Sequence, residues 1–325
     1  MIKKIMLVCG ATGFIGRNIV EFYSKDIKYD VIAVYNKQPP FECPGVRWIQ
    51  ADLTDQNQVK KILVGVNILV QAAAVTSGIK DVVERPYIHI TDNAVMNSYI
   101  FRSAYELELE HVVFFSCTVM LQSSEKPQSE NDLDANAEVH SRYFGIAWTK
   151  FYLEKMCEFY SRLGRTKYTA IRHSNVYGPY DKYDLERSHV FGATVTKVMT
   201  ADDSVTVWGT GDEARDLLYV DDIVDMVNRI IEKQPGNFGI YNCGAGVAIT
   251  IKDLVSRIIA ASGKSLIVQY DLSKPTIPTS LCLDYSKAQH ELGWQPRYQL
   301  DEGVRRTIEW WVNNSKNRAL LDGKN

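Results

Sequence analysis

Three glycines constrain how this chain begins. Gly10-Ala11-Thr12-Gly13-Phe14-Ile15-Gly16 directly follows the apolar run Ile5-Met6-Leu7-Val8-Cys9. A short buried strand that turns on glycines into a helix brings bare backbone N–H groups to the positive end of the helix dipole, where a pyrophosphate can rest. Glycine triplets also serve ordinary tight turns, so the weight comes from the position between strand and helix. Gly10, Thr12, Gly13, Phe14, Ile15 and Gly16 are therefore read as a dinucleotide-binding segment.

The rest of the first half alternates in type. Val31 to Tyr35, Arg47 to Gln50, Ile68 to Ala72 and Val112 to Ser116 read as buried strands, and Val59 to Val64, Asn93 to Leu107 and Thr149 to Leu163 carry helical spacing. Such alternation predicts an α/β chain: a Rossmann-type, doubly wound parallel sheet with helices on both faces. Ligands of these sheets gather at the carboxyl ends of the strands, which places Ser116 and Asp52 at the crevice. On a strand neighbouring side chains face opposite ways, which turns Cys117 from the side that Ser116 and Thr118 share. From about Asn175 the texture changes to Gly/Pro/Tyr-rich turns between short elements. Residues 1–174 are expected to form the dinucleotide-binding domain, with residues 215–245 returning to it. Residues 175–325 are expected to form a smaller α/β substrate lobe.

Composition excludes other classes. Apolar content of 46% and charged content of 23% fit a globular protein with a sizeable core. A net charge of −2 gives no field that favours nucleic acid or a membrane surface. No stretch approaches the ~18 apolar residues of a membrane span, and Gly10 interrupts the first apolar run too early for a secretory leader. The six cysteines form no CxxC pair and no histidine cluster has metal spacing, so free thiols in a reducing cytoplasm and no metal are expected.

With Ser116 at a strand end and Lys150 on the following helix, the chain resembles the extended short-chain dehydrogenases acting on nucleotide sugars, in which GxxGxxG is the usual glycine spacing. The resemblance sharpens along the second half, through Asn175-Val176-Tyr177-Gly178-Pro179-Tyr180-Asp181, Ser188-His189-Val190, Val207-Trp208-Gly209-Thr210-Gly211, Arg215-Asp216, Val220-Asp221-Asp222, Ser273-Lys274-Pro275 and Leu292-Gly293-Trp294. In that order these are similar to the GDP-fucose synthase family over essentially the whole chain. The resemblance implies that Lys150 binds the nicotinamide ribose, that Ser116 fixes the reacting sugar oxygen, and that His189 is an acid/base for epimerisation. It also implies that Asn175, Val190, Lys197, Trp208 and Arg215 meet the nucleotide sugar, with Arg215 on its diphosphate. Taken alone, Trp208 fits core packing and His189 a satisfied buried histidine.

The chain departs from the family where the chemistry lies. Four residues before Lys150 the family places a catalytic tyrosine, and this chain has Ile146. The family's second epimerisation acid/base, a cysteine two residues after the serine, is Thr118 here, and Thr279-Ser280-Leu281 stands where a phosphate-binding lysine is expected. Tyr143 taking the tyrosine's place, a slower or different reaction through His189, Thr118 or a water relayed by Ser116, binding without turnover, and removal of the tyrosine by mutation all remain open. The end of the second strand carries Tyr35-Asn36-Lys37 in place of the Asp of NAD-preferring relatives. Asn36 and Lys37 therefore favour NADP, with NAD the alternative. Asp52 with Leu53 resembles the family's adenine contact, and Ala72-Ala73-Ala74 the small residues along the cofactor.

The expectation is thus a cytoplasmic enzyme acting at C4 of a GDP-linked 4-keto-6-deoxyhexose with NADP(H), in surface polysaccharide or lipopolysaccharide synthesis. The resemblance also implies a homodimer through the helices near Asn93 to Leu107 and Thr149 to Leu163. Its alternatives are a catalytically silent nucleotide-sugar binder and an epimerase with tightly held NAD.

Overall fold

In a computed structural model, residues 3–75, 85–185, 188–274, 276 and 279–314 are described. Strand β1 (Lys4–Cys9) has helix-flanked parallel partners on both sides, β2 (Tyr29–Tyr35) and β4 (Ile68–Gln71). With β3 (Arg47–Gln50), β5 (His111–Phe115), β6 (Lys167–His173) and β10 (Phe238–Cys243) they form one parallel sheet, in the order β10-β6-β5-β4-β1-β2-β3. This order reverses at β1 and β4, which opens a crevice at the carboxyl ends of those two strands.

The apolar runs of the sequence are buried on both faces because successive strand residues point opposite ways. Met6 and Val8 join one core with α1 (Phe14–Tyr23) and α6 (Val220–Lys233). Leu7 and Cys9 join the other, under α2 (Gln56–Leu63), α3 (Thr91–Glu106) and α4 (Phe144–Ser161). Burying one such Leu or Met is worth about 1.5–3 kcal/mol, so each strand residue anchors a helix. The first core also takes in Ala288 and Leu292 of α8 (Ser286–Leu292), followed by Trp294. Trp294 is fully buried and its indole N–H donates to the Asp222 carbonyl at 3.0 Å.

The remaining elements build a third core. It joins α5 (Val190–Thr200), α7 (Ile251–Ser262) and α9 (Leu300–Asn313) to β8 (Ser204–Trp208) and β9 (Ala214–Tyr219). Strand β9 lies between β11 (Ala248–Thr250) and β13 (Ser280–Leu281) and also pairs with β7 (Asn175–Tyr177). Strand β12 (Ile267–Asp271) pairs with β8. The two parts are tied beside α1. Asn18 donates to the Pro179 carbonyl at 3.0 Å, and the Arg17 guanidinium lies 4.1 Å from the Phe41 ring centre and 3.7 Å from that of Tyr180.

Helix α4 begins at Phe144, five residues before the helical spacing read from Thr149, and a short 3-10 turn over Ser141–Tyr143 leads into it. Tyr143 at its N-cap makes no side-chain cap, so no Ser/Thr/Asp signal marks this start.

Candidate active site

The glycine loop is shaped by close approach. Gly10 has φ +69°, and a Cβ there would lie 2.6 Å from the Ala73 Cα. A Cβ on Gly16 would lie 2.2 Å from the Gly10 carbonyl, which lets α1 start directly under the turn. Gly13 caps α1 from an exposed position, and the helix's first turn holds no acidic residue. A helix's first N–H groups have no partner inside it. This end therefore suits a dinucleotide pyrophosphate, which Gly13, Phe14 and Ile15 would meet through backbone N–H groups. Ala72 and Ala73 are half-buried and Ala74 exposed beyond β4, opposite Gly10. Asn36 and Lys37 are exposed beyond β2, with the Asn36 carbonyl accepting from Gln50 at 2.9 Å. Asp52 is exposed beyond β3, where it accepts from the Thr54 N–H and hydroxyl, while Leu53 is buried. A nicotinamide dinucleotide, when bound, supplies or accepts a hydride at the reacting sugar carbon.

At the end of β5 the structure departs from the expected orientation. The strand stops at Phe115, and Ser116 is 1% exposed. Its N–H donates to the Ile171 carbonyl at 2.8 Å and its hydroxyl to Glu154 at 2.6 Å, so it is turned inward. Glu154 is in turn gripped by Arg172, with contacts of 2.7, 3.0 and 3.2 Å, and Arg172 reaches the Glu130 carbonyl at 2.9 Å. A short O–H to carboxylate bond of this kind is charge-assisted and strong.

Lys150 lies one turn before Glu154 on α4. Its Nζ donates to the Phe115 carbonyl at 2.7 Å and lies 4.7 Å from the Phe114 ring centre. Burial pushes its pKa down, and Cys117 and Glu154 beside it act the other way. Strand alternation had turned Cys117 away from the site. Once β5 has ended that rule no longer holds: Cys117 is partly exposed while Thr118 is buried, and Cys117 neighbours both Lys150 and Tyr143. Burial raises the Cys117 thiol pKa, with Lys150 opposing. Ile146 is half-buried on α4 and offers no proton. The nearest phenol on this helix end is Tyr143, whose pKa burial raises and Arg215 opposes.

The remaining candidate residues lie on or beside the third core. Asn175 donates to the Asp216 carbonyl at 3.3 Å. Arg215 donates to the carbonyls of Ala214 and Thr279, at 2.8 and 2.5 Å. Trp208 is 40% exposed, with the ammonium groups of Lys197 and Lys274 at 5.2 and 6.0 Å from its ring centre. Lys197 also donates to the Thr206 carbonyl at 3.0 Å. An exposed indole between two cations is a stacking surface with charge beside it, unlike the packed core residue that an isolated Trp suggests. His189 is an exposed N-cap of α5 and Val190 is half-buried; crowding by the protein and the Lys182 cation push the His189 pKa down. Pro275 lies outside the described residues.

One residue escaped the motifs. His173, the last residue of β6, is half-buried, and its ring meets the Phe115 ring edge-on at 6.1 Å. A histidine at a strand's carboxyl end was the available signal.

Residues 6–244 match the NAD dependent epimerase/dehydratase family, and the chain belongs to it. It is 25% identical to GDP-L-colitose synthase of Yersinia pseudotuberculosis, over 96% of this chain and 99% of that one. It is 26% identical to GDP-L-fucose synthase of Azorhizobium caulinodans, over 96% and 98%. Its fold matches UDP-glucose 4-epimerase of Thermotoga maritima with a TM-score of 0.85 and 24% identity, covering 95% of this chain and 99% of that one. The chain is thus an enzyme of the NAD dependent epimerase/dehydratase family, built on a seven-stranded Rossmann-like sheet. No described helix is long and apolar enough to cross a membrane.

Proposed function

We propose that this protein is a cytoplasmic, NADP(H)-dependent epimerase/reductase acting at C4 of a GDP-linked 4-keto-6-deoxyhexose, in surface polysaccharide synthesis. The observation that carries the reading is that the glycine turn after β1 and the Lys150 ammonium on the Phe115 carbonyl after β5 lie at the same carboxyl edge of the parallel sheet, with Arg215 beside Tyr143 at the start of α4. Lys150 holds the nicotinamide ribose, and exposed Lys37 meets a 2′-phosphate. Arg215 and Lys197 neutralise the diphosphate, and Asn175 and Val190 line the sugar nucleotide. His189 exchanges a proton in epimerisation, with Thr118 beside the serine. Ser116 orients the reacting oxygen only after its hydroxyl leaves Glu154.

A homodimer fits the same reading, because α4 exposes Phe144, Tyr152 and Phe159, at 62%, 54% and 55%. The loss of the tyrosine at 146 and the commitment of Ser116 to Glu154 favour one second reading, a binder that holds both nucleotides without turnover. Mixing the protein with NADPH and a GDP-4-keto-6-deoxyhexose separates the two. Falling NADPH absorbance supports the enzyme, and binding of both ligands without oxidation supports the silent binder.

A further inference from the structure

The proposed reaction needs a group that gives and takes a proton at the sugar oxygen, and Ile146 cannot do so. We propose that His173 exchanges this proton through its Nε2. The inference rests on the function proposed above and names the acid/base of that same crevice.

The geometry fixes which nitrogen is available. His173 Nδ1 lies 2.8 Å from the Ser174 carbonyl oxygen, which can only accept. Nδ1 therefore carries the proton, and in the neutral ring Nε2 holds the lone pair. The ring is steadied by the Phe115 ring, while the Phe115 carbonyl holds the Lys150 ammonium. His173 thus sits across Phe115 from Lys150, at the carboxyl end of the strand next to β5. The charged or titratable neighbours that face it are Lys150 from α4 and His189 from the start of α5. Burial, with those two groups opposing a further positive charge, pushes the His173 pKa down to about 4, so the ring is a neutral base at pH 7. Tyr143 instead neighbours Arg215, the residue proposed to hold the diphosphate, together with Arg142 and Cys117.

In the alcohol-to-ketone direction, the O4–H proton passes to Nε2 and a C4=O bond forms. The C4–H bond breaks, and its electron pair leaves as hydride to an oxidised nicotinamide dinucleotide. In the reverse direction the imidazolium returns the proton to O4.

The test uses the full-length protein with 15N-labelled histidine, so that the tautomer and titration of each ring are read directly. His173 is identified by the signal lost in His173→Phe and, independently, in His173→Gln. The free protein should show the Nδ1–H form with a midpoint near 4. Saturation with NADP+ and then GDP-fucose should move the His173 Nε2 resonance, and calorimetry reports whether each ligand binds. Saturation with no change at Nε2 overturns the His173 assignment and leaves the function intact. Failure of both ligands to bind overturns both. Turnover gives a second readout: ketone reduction should slow about tenfold per pH unit between pH 5 and 8, and both variants should lose about 100-fold. A flat profile that His173→Phe leaves unchanged overturns the proposal, and loss of turnover in Tyr143→Phe alone moves the role to the phenol.

Discussion

The Ser116 hydroxyl and the Glu154 carboxylate are joined at 2.6 Å, with both residues buried to within 1% of full enclosure. Arg172, 3% exposed, completes the group. Removing one partner of a buried pair leaves a charge without compensation. Arg172→Leu should therefore lower unfolding stability by about 3–5 kcal/mol, and Ser116→Ala by about 1.5–3 kcal/mol. Urea denaturation measures both. Equal, negligible losses would mean that this cluster holds nothing together.

Gly10 and Gly13 separate folding from binding. Gly10→Ala combines a left-handed φ of +69° with a Cβ 2.6 Å from the Ala73 Cα, so it should destabilise the fold by at least about 1–2 kcal/mol. At Gly13 a Cβ meets only the Gly10 carbonyl, at 3.2 Å. Gly13→Ala should melt within a few degrees of the parent yet bind NADP+ more than about tenfold weaker, because the methyl would stand where the proposed pyrophosphate site lies. Calorimetry showing unchanged affinity would place the phosphate elsewhere.

Restoring a phenol at 146 tests the register of α4. Ile146→Tyr should raise ketone reduction by about 10- to 100-fold, since it returns a proton donor four residues before Lys150. An unchanged rate would show that residue 146 does not face the reacting oxygen.

Asp181 gives a pH signature. Burial pushes its pKa up to about 7, with the Lys182 N–H at 2.7 Å only partly opposing. The folded state therefore holds this proton more tightly than the unfolded chain. The associated stability is full below about pH 4 and is lost as pH rises through about 7. Asp181→Asn should remove this decline and raise the melting temperature at pH 8, and melting curves at pH 5 and 8 decide it. A variant with the same pH slope as the parent would exclude Asp181 as its source.

Much of this architecture could be read from local pattern. The glycine turn, five apolar strands and the alternation with helices depend on near neighbours, and a parallel sheet follows from them; β6 and β10, which complete its seven strands, are not among the runs read from the sequence. The start of α4 was missed because Tyr143 caps nothing. The inward turn of Ser116 depends on Glu154, 38 residues away, and on β5 ending one residue early. No spacing rule carries either. The return of Ser286–Leu292 and Trp294 to the first core likewise rests on a distant bond to Asp222. His173 carries no signal beyond its place at a strand's carboxyl end, and only the fold brings it against Phe115.

Direct titration of the purified protein with NADP+ and NAD+ by calorimetry tests the central claim, that a nicotinamide dinucleotide seats on the Gly10–Gly16 turn. One molecule per chain should bind, NADP+ more tightly than NAD+. Heat from neither would contradict the account.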